Sequence, residues 1–168
     1  MIKEVKRNYL EIKDLKDLTE GKKLSNDYSL NLVDPIDFQL NKFFYKNIGN
    51  SHEWVDRLTW SEQKWINYVS SDTVKTYILK HKNDLAGFFE LIFHLEKKET
   101  EIAYFGVLKE YQNKKLGSYL LSEAIKISFS IMGTGRVWVH TCSLDHKNAL
   151  NNYLSRGMKI FKSETLIR

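Results

Sequence analysis

The chain of 168 residues contains one cysteine and one proline, and it has no long run of apolar residues. The single Cys142 excludes an intramolecular disulfide and is typical of a reducing compartment. No segment approaches the roughly 18 consecutive apolar residues that a membrane-spanning helix needs. The N-terminus mixes lysine with apolar residues and lacks the apolar core of a signal peptide. These absences predict a cytoplasmic protein without a membrane partner.

Glycine is scarce in the first half of the chain, where only Gly21 and Gly49 precede residue 86. We find no Pro/Gly-rich linker, no internal repeat and no low-complexity segment, and the length suffices for one hydrophobic core. The sequence therefore predicts one domain over residues 1–168, with its tight turns mainly in the C-terminal half.

The charge is mildly basic, with 26 Lys and Arg residues against 21 Asp and Glu residues. The lysines are scattered among acidic residues rather than gathered in one block. This distribution favours an ordinary solvated surface over a nucleic-acid interface, so we predict no nucleic-acid partner. A basic pocket for an anionic cofactor is a third interpretation of the same excess charge.

Patterns in the N-terminal third are mixed. Residues 29–33 alternate like a strand, Pro35 suits a first helical turn, and the apolar spacing over 38–44 is nearly helical. Ser61 is predicted to be the N-cap of a second helix that runs to Val69.

Residues 73–107 change to an alternating pattern. Three strands are predicted over 74–79, 85–93 and 101–107, and short polar connections separate them. Such connections join neighbouring antiparallel strands, so this part of the chain predicts an antiparallel meander.

The period then changes to that of a helix, with one apolar face formed by Leu116, Leu120, Ala124, Ile127 and Ile131. The predicted elements after the meander are a helix, a strand, a short helix and a strand, over 116–132, 136–142, 146–156 and 158–161. Asp145 is predicted to cap the short helix and Gly157 to end it. This order predicts a mixed α/β sheet, mostly antiparallel, with one parallel crossover through the first of these helices.

The segment 107–118 carries the strongest chemical signal. A strand ends at Val107, a polar loop follows, and a helix begins near Gly117. Such a loop directs unpaired backbone N–H groups and the positive end of a helix dipole to one place, which suits a pyrophosphate group. Lys114 and Lys115 add two cations. An ordinary strand–loop–helix connection with one glycine and two lysines is the alternative.

The run Gln-Asn-Lys-Lys-Leu-Gly over 112–117 resembles the Gln/Arg-x-x-Gly-x-Gly/Ala acetyl-CoA motif of the GNAT (Gcn-related N-acetyltransferase) superfamily. The preceding strand 101–107 resembles the fourth strand of that family. The second conserved block of the family is similar to Ala149, Tyr153 and Gly157-Met158. The resemblance covers 85–161 in the same order.

Two further segments, 51–65 and 139–146, resemble an uncharacterised bacterial subgroup of the superfamily. Two positions depart from the family pattern. Lys115 stands where the motif has its first glycine, and His146 stands where the distal block has asparagine, with Asn148 two residues further on.

The resemblance implies the GNAT acyl-CoA N-acyltransferase fold, with acetyl-CoA (CoA) as the cofactor. In the family, the fourth and fifth strands splay apart around the pantetheine arm, the motif N–H groups hold the pyrophosphate, and the distal tyrosine lies beside the thioester sulfur. The implied cofactor-binding residues are Phe105, Gly106, Val107, Gln112, Asn113, Lys114, Lys115, Leu116, Gly117, Ser118, His146, Asn148 and Tyr153.

Amide formation from a thioester requires a neutral amine, and an alkyl amine has a pKa of about 10. A general base is therefore expected. Glu101 falls on the position of the base in histone-acetylating members, Glu90 lies within an apolar run, and a third possibility is that neither is the base. Tyr153 is the predicted general acid, and the N–H of Val107 is the simplest donor to the carbonyl oxygen.

Trp54, Trp60 and Trp65 crowd a segment that lies over the acceptor groove in the family. Trp54 and Trp60 are candidates for binding an apolar or cationic acceptor. The alternative is that Trp60 and Trp65 only anchor an amphipathic helix to the sheet.

His140, Cys142, Asp145 and His146 admit two other hypotheses. A cysteine nucleophile would need an activating cation or helix N-terminus, and none is evident. A zinc site would lack a convincing fourth ligand, so no metal is predicted.

The predicted function is an acetyl-CoA-dependent N-acetyltransferase that transfers the acetyl group directly to an amine in a ternary complex. The acceptor is a small molecule or peptide, with a small amine, an amino acid, an antibiotic and a protein amine left open. The alternatives are a non-catalytic acyl-CoA-binding or sensing module on the same fold and a basic nucleic-acid-binding domain. A homodimer is compatible with this fold class.

Overall fold

The computed structural model describes residues 2–130 and 133–168. Its centre is a seven-stranded mixed sheet in the order β2-β3-β4-β5-β6-β1-β7. The strands are β1 Glu4–Ile12, β2 Tyr28–Leu32, β3 Val74–His81, β4 Asp84–His94, β5 Glu99–Val107, β6 Arg136–Cys142 and β7 Lys159–Ile167. The helices are α1 Phe38–Gly49, α2 Glu62–Val69, α3 Leu116–Ser130 and α4 Ala149–Ser155.

The predicted meander and crossover are confirmed. Strands β2 to β5 pair antiparallel with their sequence neighbours, and β5 pairs parallel with β6 after the chain has passed through α3. The predicted strand at 29–33 is β2. Alternating apolar and polar residues with short polar turns are sufficient to specify this half of the sheet. Of the predicted apolar face of α3, Ile131 lies outside the described residues.

Strand β1 was not predicted from the sequence. It lies between β6 and β7 and is antiparallel to both. Val5, Leu10 and Ile12 are buried, but a register shift between Tyr9 and Leu10 against β7 breaks the simple alternation. The apolar positions therefore do not keep period two, and the pattern gives no clear strand signal.

Two predicted helix starts are right, since α3 begins at Leu116 and α2 follows Ser61, and two are wrong. Ser61 Oγ accepts from the N–H of Lys64 at 3.1 Å and caps α2 as predicted. Pro35 is not in a first helical turn, since α1 begins at Phe38 and Asp37 is its cap.

Asp145 does not cap α4, which begins at Ala149. The Asp145 carboxylate instead accepts from Thr141 Oγ1 at 2.5 Å and from the N–H of Cys142 at 3.0 Å. The carboxylate thereby holds the turn after β6 rather than a helix start. Gly157 follows α4 with φ of +103° and ends it as predicted.

The two faces of the sheet are covered differently. Helix α3 packs Leu120, Ala124 and Ile125 on one face, and all three are fully buried. Helix α1 packs Phe44 against Phe88 on the other face, with ring centroids 4.9 Å apart. None of the helices described in the structure is long and apolar enough to span a bilayer.

Candidate active site

The site begins where two parallel strands separate. Strands β5 and β6 pair only over Glu99–Glu101 with Arg136–Trp138. One extra residue in β5, Ala103, lies at a register shift against β4. Beyond it the strands diverge and leave a cavity of about 850 Å³ between them. Its volume is in the range of sites for large organic ligands.

The free edge of β5 faces this opening. The N–H of Leu108 donates to the carbonyl of Ala86 on β4 at 2.8 Å. Antiparallel strands alternate between hydrogen-bonded and non-hydrogen-bonded residue pairs, so this bond shows which residues of β5 are hydrogen-bonded to β4 and which are not. Phe105 and Val107 therefore turn their N–H and C=O groups away from β4 and toward the cavity, and Gly106 lines it between them.

The loop before α3 presents a row of free donors to the same cavity. In the described chain, the backbone N–H groups of residues 113–118 have no acceptor. Asn113 and Lys115 have positive φ, +64° and +62°, which turns successive N–H groups to one side. Unpaired N–H groups at a helix N-terminus are the standard chemistry for an anionic phosphate.

Lys115, which stands in place of the first glycine of the family motif, has the backbone conformation of a glycine. The residue adopts the left-handed conformation that a glycine would take with less strain, so its N–H keeps the direction the motif needs. Lys115 lines the cavity, together with Gln112, Leu116, Gly117 and Ser118. Lys114 does not, because its ammonium group lies over the Tyr111 ring, 5.4 Å from the centroid.

A segment that the sequence did not single out packs across the start of α3. The N–H of Gly21 donates to Ser122 Oγ at 2.6 Å, and the N–H of Lys22 donates to Ser118 Oγ at 3.2 Å. A Cβ atom on Gly21 would lie 2.3 Å from the carbonyl oxygen of Ser118, so only glycine permits this approach. The packing puts Lys22 at the cavity, near the start of α3.

Helix α4 forms the opposite wall. Tyr153 is 5% exposed, lines the cavity and lies 6.0 Å from the Phe105 ring between centroids. Burial raises the pKa of Tyr153, so its hydroxyl keeps its proton at neutral pH. Asn152, which no sequence pattern indicated, donates from Nδ2 to the carbonyl of Gly117 at 3.1 Å. This bond joins α4 to the loop of residues 113–118.

The second departure from the family pattern, at His146, is also at the cavity. His146 and Asn148 both line it, and the N–H of Asn148 donates to Nδ1 of His146 at 3.1 Å. Burial, followed by the nearby His52, lowers the pKa of His146. The imidazole is therefore neutral at pH 7 and has one nitrogen free for a ligand.

The loop between α1 and α2 forms the other end of the cavity. Trp54 lines the cavity beside Tyr104, with ring centroids 4.7 Å apart. Asp56 also lines the cavity and has no hydrogen bond or ion pair among residues 2–130 and 133–168. Trp60 does not line the cavity and instead packs against Trp65 at 4.9 Å between centroids.

Trp60 belongs to an aromatic cage around Arg57. The Arg57 Cζ lies 4.4–5.7 Å from the centroids of five rings, those of Tyr45, Trp60, Trp65, Tyr68 and Tyr104. Each such cation–π contact contributes more where water is excluded. Burial alone would lower the pKa of Arg57, but the charge and hydrogen bond of Glu90, together with the nearby Tyr68 and Tyr104, outweigh it and raise the pKa.

Glu90 is the counter-ion in this cage and is not on the cavity. It is fully buried, and its carboxylate accepts from Arg57 Nη1 at 2.9 Å. Tyr68 donates to Oε1 at 2.6 Å, and Asn41 donates to Oε2 at 2.9 Å. Both oxygens are therefore committed to structural bonds, which does not suit a proton acceptor for an incoming amine.

Glu101 lies on β5 before the strands separate. Its Oε1 is 2.9 Å from His94 Nε2, and the residue does not line the cavity. A titratable group that does line the cavity is the imidazole of His140 on β6, two residues beyond Trp138, the partner of Glu101.

From the sequence, His140 is a candidate only for a cysteine-nucleophile site or a zinc site. Desolvation in the cavity, followed by the charge of Arg7, lowers the pKa of His140 below its ordinary value. The side chain is therefore a neutral imidazole at pH 7 that faces the cavity. The sequence does not show that β6 separates from β5 before His140, so the position of His140 at the cavity is known only from the structure. Within the described residues, no three His, Cys, Asp or Glu side chains are grouped to hold a metal ion.

Residues 38–158, more than half of the chain, match the model of the Acetyltransferase (GNAT) family. The chain therefore belongs to the GNAT acetyltransferase family, as the motif at 112–117 predicted. No protein of curated function matches the sequence.

Solved structures share the fold at low sequence identity. A GCN5-related N-acetyltransferase from Kribbella flavida has a TM-score of 0.68 and 14% identity over 99% of this chain and 58% of its own. One from Sphaerobacter thermophilus has a TM-score of 0.73 and 12% identity over 97% and 50%. The chain thus spans little more than half the length of these two proteins.

A third structure is of nearly equal length. Spermidine N-acetyltransferase from Vibrio cholerae, solved in complex with CoA and spermine, has a TM-score of 0.63 and 14% identity over 85% of this chain and 96% of its own. At such identities the similarity establishes the fold.

The Arg57–Glu90 pair yields a stability prediction. Glu90→Gln removes the counter-charge of a buried guanidinium, so we expect the free energy of unfolding to fall by about 3–5 kcal/mol. Urea unfolding followed by circular dichroism measures this loss. The matched control is Glu110→Gln, because Glu110 is exposed, and it should change the free energy by no more than about 0.5 kcal/mol. Equal stability of the two variants would contradict a structural role for Glu90.

Proposed function

We propose that the protein is an acetyl-CoA-dependent N-acetyltransferase that transfers the acetyl group directly from the thioester to an amine. One observation carries this proposal: a single cavity joins the unpaired N–H groups of 113–118 to the free edge of β5 and to the neutral imidazole of His140. Phosphate, pantetheine and acceptor each require one of these three features, and membership of the family supports the same cofactor.

The residues at the loop end fit CoA. The N–H groups of 113–118 would hold the pyrophosphate, with Lys115 and Lys22 adding positive charge. The outward N–H and C=O groups of Phe105 and the C=O of Val107 would pair with the amides of the pantetheine arm, as an added strand would. When bound, acetyl-CoA supplies the activated acyl group.

Two groups of the chain would stabilise charge during transfer. The N–H of Val107 would donate to the carbonyl oxygen, where negative charge develops. Tyr153, which keeps its proton because burial raises its pKa, would donate to the leaving sulfur.

His140 is our proposed general base. Its neutral form can accept the proton of the amine at pH 7, and it faces the cavity. Glu90 is fully bonded to Arg57, Tyr68 and Asn41, and Glu101 is paired with His94, so this proposal replaces both glutamates. Trp54 and Tyr104 would form the apolar wall beside the acceptor.

Cofactor binding tests the first half of the proposal. Calorimetric titration with acetyl-CoA should show binding to the wild-type protein, and Gly117→Trp should weaken it by about 100-fold or more, which is about 2.7 kcal/mol. A side chain at 117 would start 3.6 Å from Asn152 Nδ2 and 3.9 Å from Phe105, so an indole would fill this end of the cavity.

The control is Ser130→Trp, which adds the same side chain at the exposed far end of α3 and should bind acetyl-CoA normally. No binding by the wild-type protein, or equal loss in both variants, would overturn the assignment of the cofactor site.

The pH dependence of the reaction tests the base. The kcat/KM of an accepted amine should fall on the acid side as His140 gains a proton, with a midpoint below pH 6.5 because its pKa is lowered. His140→Gln should lower kcat/KM by about 100-fold or more and remove this limb.

Glu101→Gln is the comparison and should retain the rate and the limb, with the limb moved to lower pH because the charge of Glu101 raises the pKa of His140. The reverse result, a large loss in Glu101→Gln with an unchanged profile in His140→Gln, would return the role of base to Glu101. An unchanged kcat/KM and pH profile in both variants would exclude both residues as the base, whereas a wild-type protein that binds acetyl-CoA but acetylates no amine would be a binding module rather than an enzyme.

A further inference from the structure

Arg7 lies on β1, beside the strand that carries the proposed base. Its Cα is paired with that of Cys142 on β6, and Tyr9, two residues on, is paired with His140. Arg7, Cys142 and His140 all line the cavity. No motif of the sequence singled out Arg7, because β1 itself was not predicted. A role for Arg7 in binding the acceptor rests on the proposed acetyltransferase function.

The guanidinium of Arg7 is incompletely partnered. Its Nη1 is 3.4 Å from the Tyr9 hydroxyl and 3.8 Å from Glu164 Oε1. That oxygen also accepts the Tyr9 hydroxyl at 2.6 Å, and its contact with Arg7 is an ion pair longer than a hydrogen bond. Arg7 Nε is buried and has no acceptor in the described part of the chain. Since a guanidinium has five N–H donors, most remain for a ligand.

The carboxylates near this end of the cavity are mostly committed. Glu53 is bound to Lys3 Nζ at 2.8 Å, and Asp145 accepts from Thr141 and from the backbone of Cys142. Of the acidic side chains that line the acceptor end in the described chain, Asp56 alone is unpaired. A polycationic acceptor would require several free carboxylates.

Arg7 and Asp56 line the same cavity as His140, the proposed base. Desolvation and then the charge of Arg7 lower the pKa of His140, while the charges of Glu101, Asp145 and Asp56 raise it, so Arg7 and Asp56 both act on this imidazole. An acceptor whose amine lies at His140 therefore has the guanidinium of Arg7 in the same cavity for its carboxylate. The carboxylate of Asp56 would attract the ammonium form in which the amine arrives.

We propose that the acceptor is a free amino acid, whose carboxylate is bound by Arg7 and whose amine is drawn in by Asp56. A guanidinium binds a carboxylate through two parallel hydrogen bonds, which fixes the orientation of the amine. In the transfer, the amine nitrogen forms a bond to the acyl carbon and the carbon–sulfur bond breaks. The ammonium group first releases one proton to solvent, and the neutral nitrogen gives its second proton to His140 as the new bond forms. The sulfur takes the proton of Tyr153, and the proton on His140 then returns to the Tyr153 oxygen through solvent.

The test compares each amino acid with its own carboxamide, which keeps the amine and the size but loses the negative charge. Release of CoA thiol and the mass of the acetylated product are measured, with spermidine as a polycationic acceptor. We expect at least one amino acid to exceed its carboxamide by about 10- to 100-fold in kcat/KM. Spermidine should be a poor acceptor.

Variants of Arg7 locate the effect. Arg7→Gln should raise KM for the amino acid and remove its advantage, while the carboxamide is unaffected. Arg7→Lys should keep part of the advantage, because it retains the charge without the planar fork. Lys6→Gln, a neighbouring exposed position on β1, removes the same charge and should change neither acceptor.

A preference for spermidine or for carboxamides would overturn the inference, as would an equal loss for amino acid and carboxamide in Arg7→Gln. If the protein binds acetyl-CoA but acetylates only amines without a carboxylate, the acceptor class is wrong and the proposed function stands. If it neither binds acetyl-CoA nor acetylates any amine, the proposed function itself fails.

Discussion

The ion pair between Arg57 and Glu90 is the interaction on which the acceptor end of the cavity depends. Two charges are buried together because the carboxylate is hydrogen-bonded from α1, α2 and the 51–60 loop, and the guanidinium is surrounded by aromatic rings. Removing one partner would leave an uncompensated charge, so the pair specifies one arrangement of these elements. Trp54 and Asp56 precede Arg57 by three residues and one, and are therefore held at the cavity.

The divergence of β5 from β6 supplies the rest of the site. Backbone groups in a sheet normally form hydrogen bonds with the neighbouring strand. Here β5 and β6 share three residue pairs, and beyond them the edge of β5 has no neighbouring strand within the residues that the structure describes. That edge leaves Phe105 and Val107 with donors and acceptors for a ligand. The loop 113–118, residues of β1 and the 51–60 loop all border this gap, so cofactor and acceptor would meet in one cavity beside β5.

Much of the fold and the cofactor half of the site could be predicted from the sequence, because they depend on local patterns. The meander follows from alternation, and the phosphate loop follows from a strand, a polar loop and a helix start. The acceptor half depends on pairings distant in sequence. The residues around Glu90 are apolar in either case, so the sequence does not distinguish a catalytic Glu90 from one buried in an ion pair with Arg57. Arg7 and His140 face one cavity only because β1, hidden by its irregular alternation, inserts beside β6.

The most direct test of the account is a titration of nitrogen-15-labelled protein with CoA, followed through the backbone N–H resonances. The account predicts that the largest changes occur at 113–118, where the N–H groups are unpaired, and at Phe105 and Val107 on the free edge of β5. Residues of β2 and α2, which are away from the cavity, should change little. Changes that spare 113–118, or that gather on β2 and α2, would contradict the claim that this cavity is a CoA site.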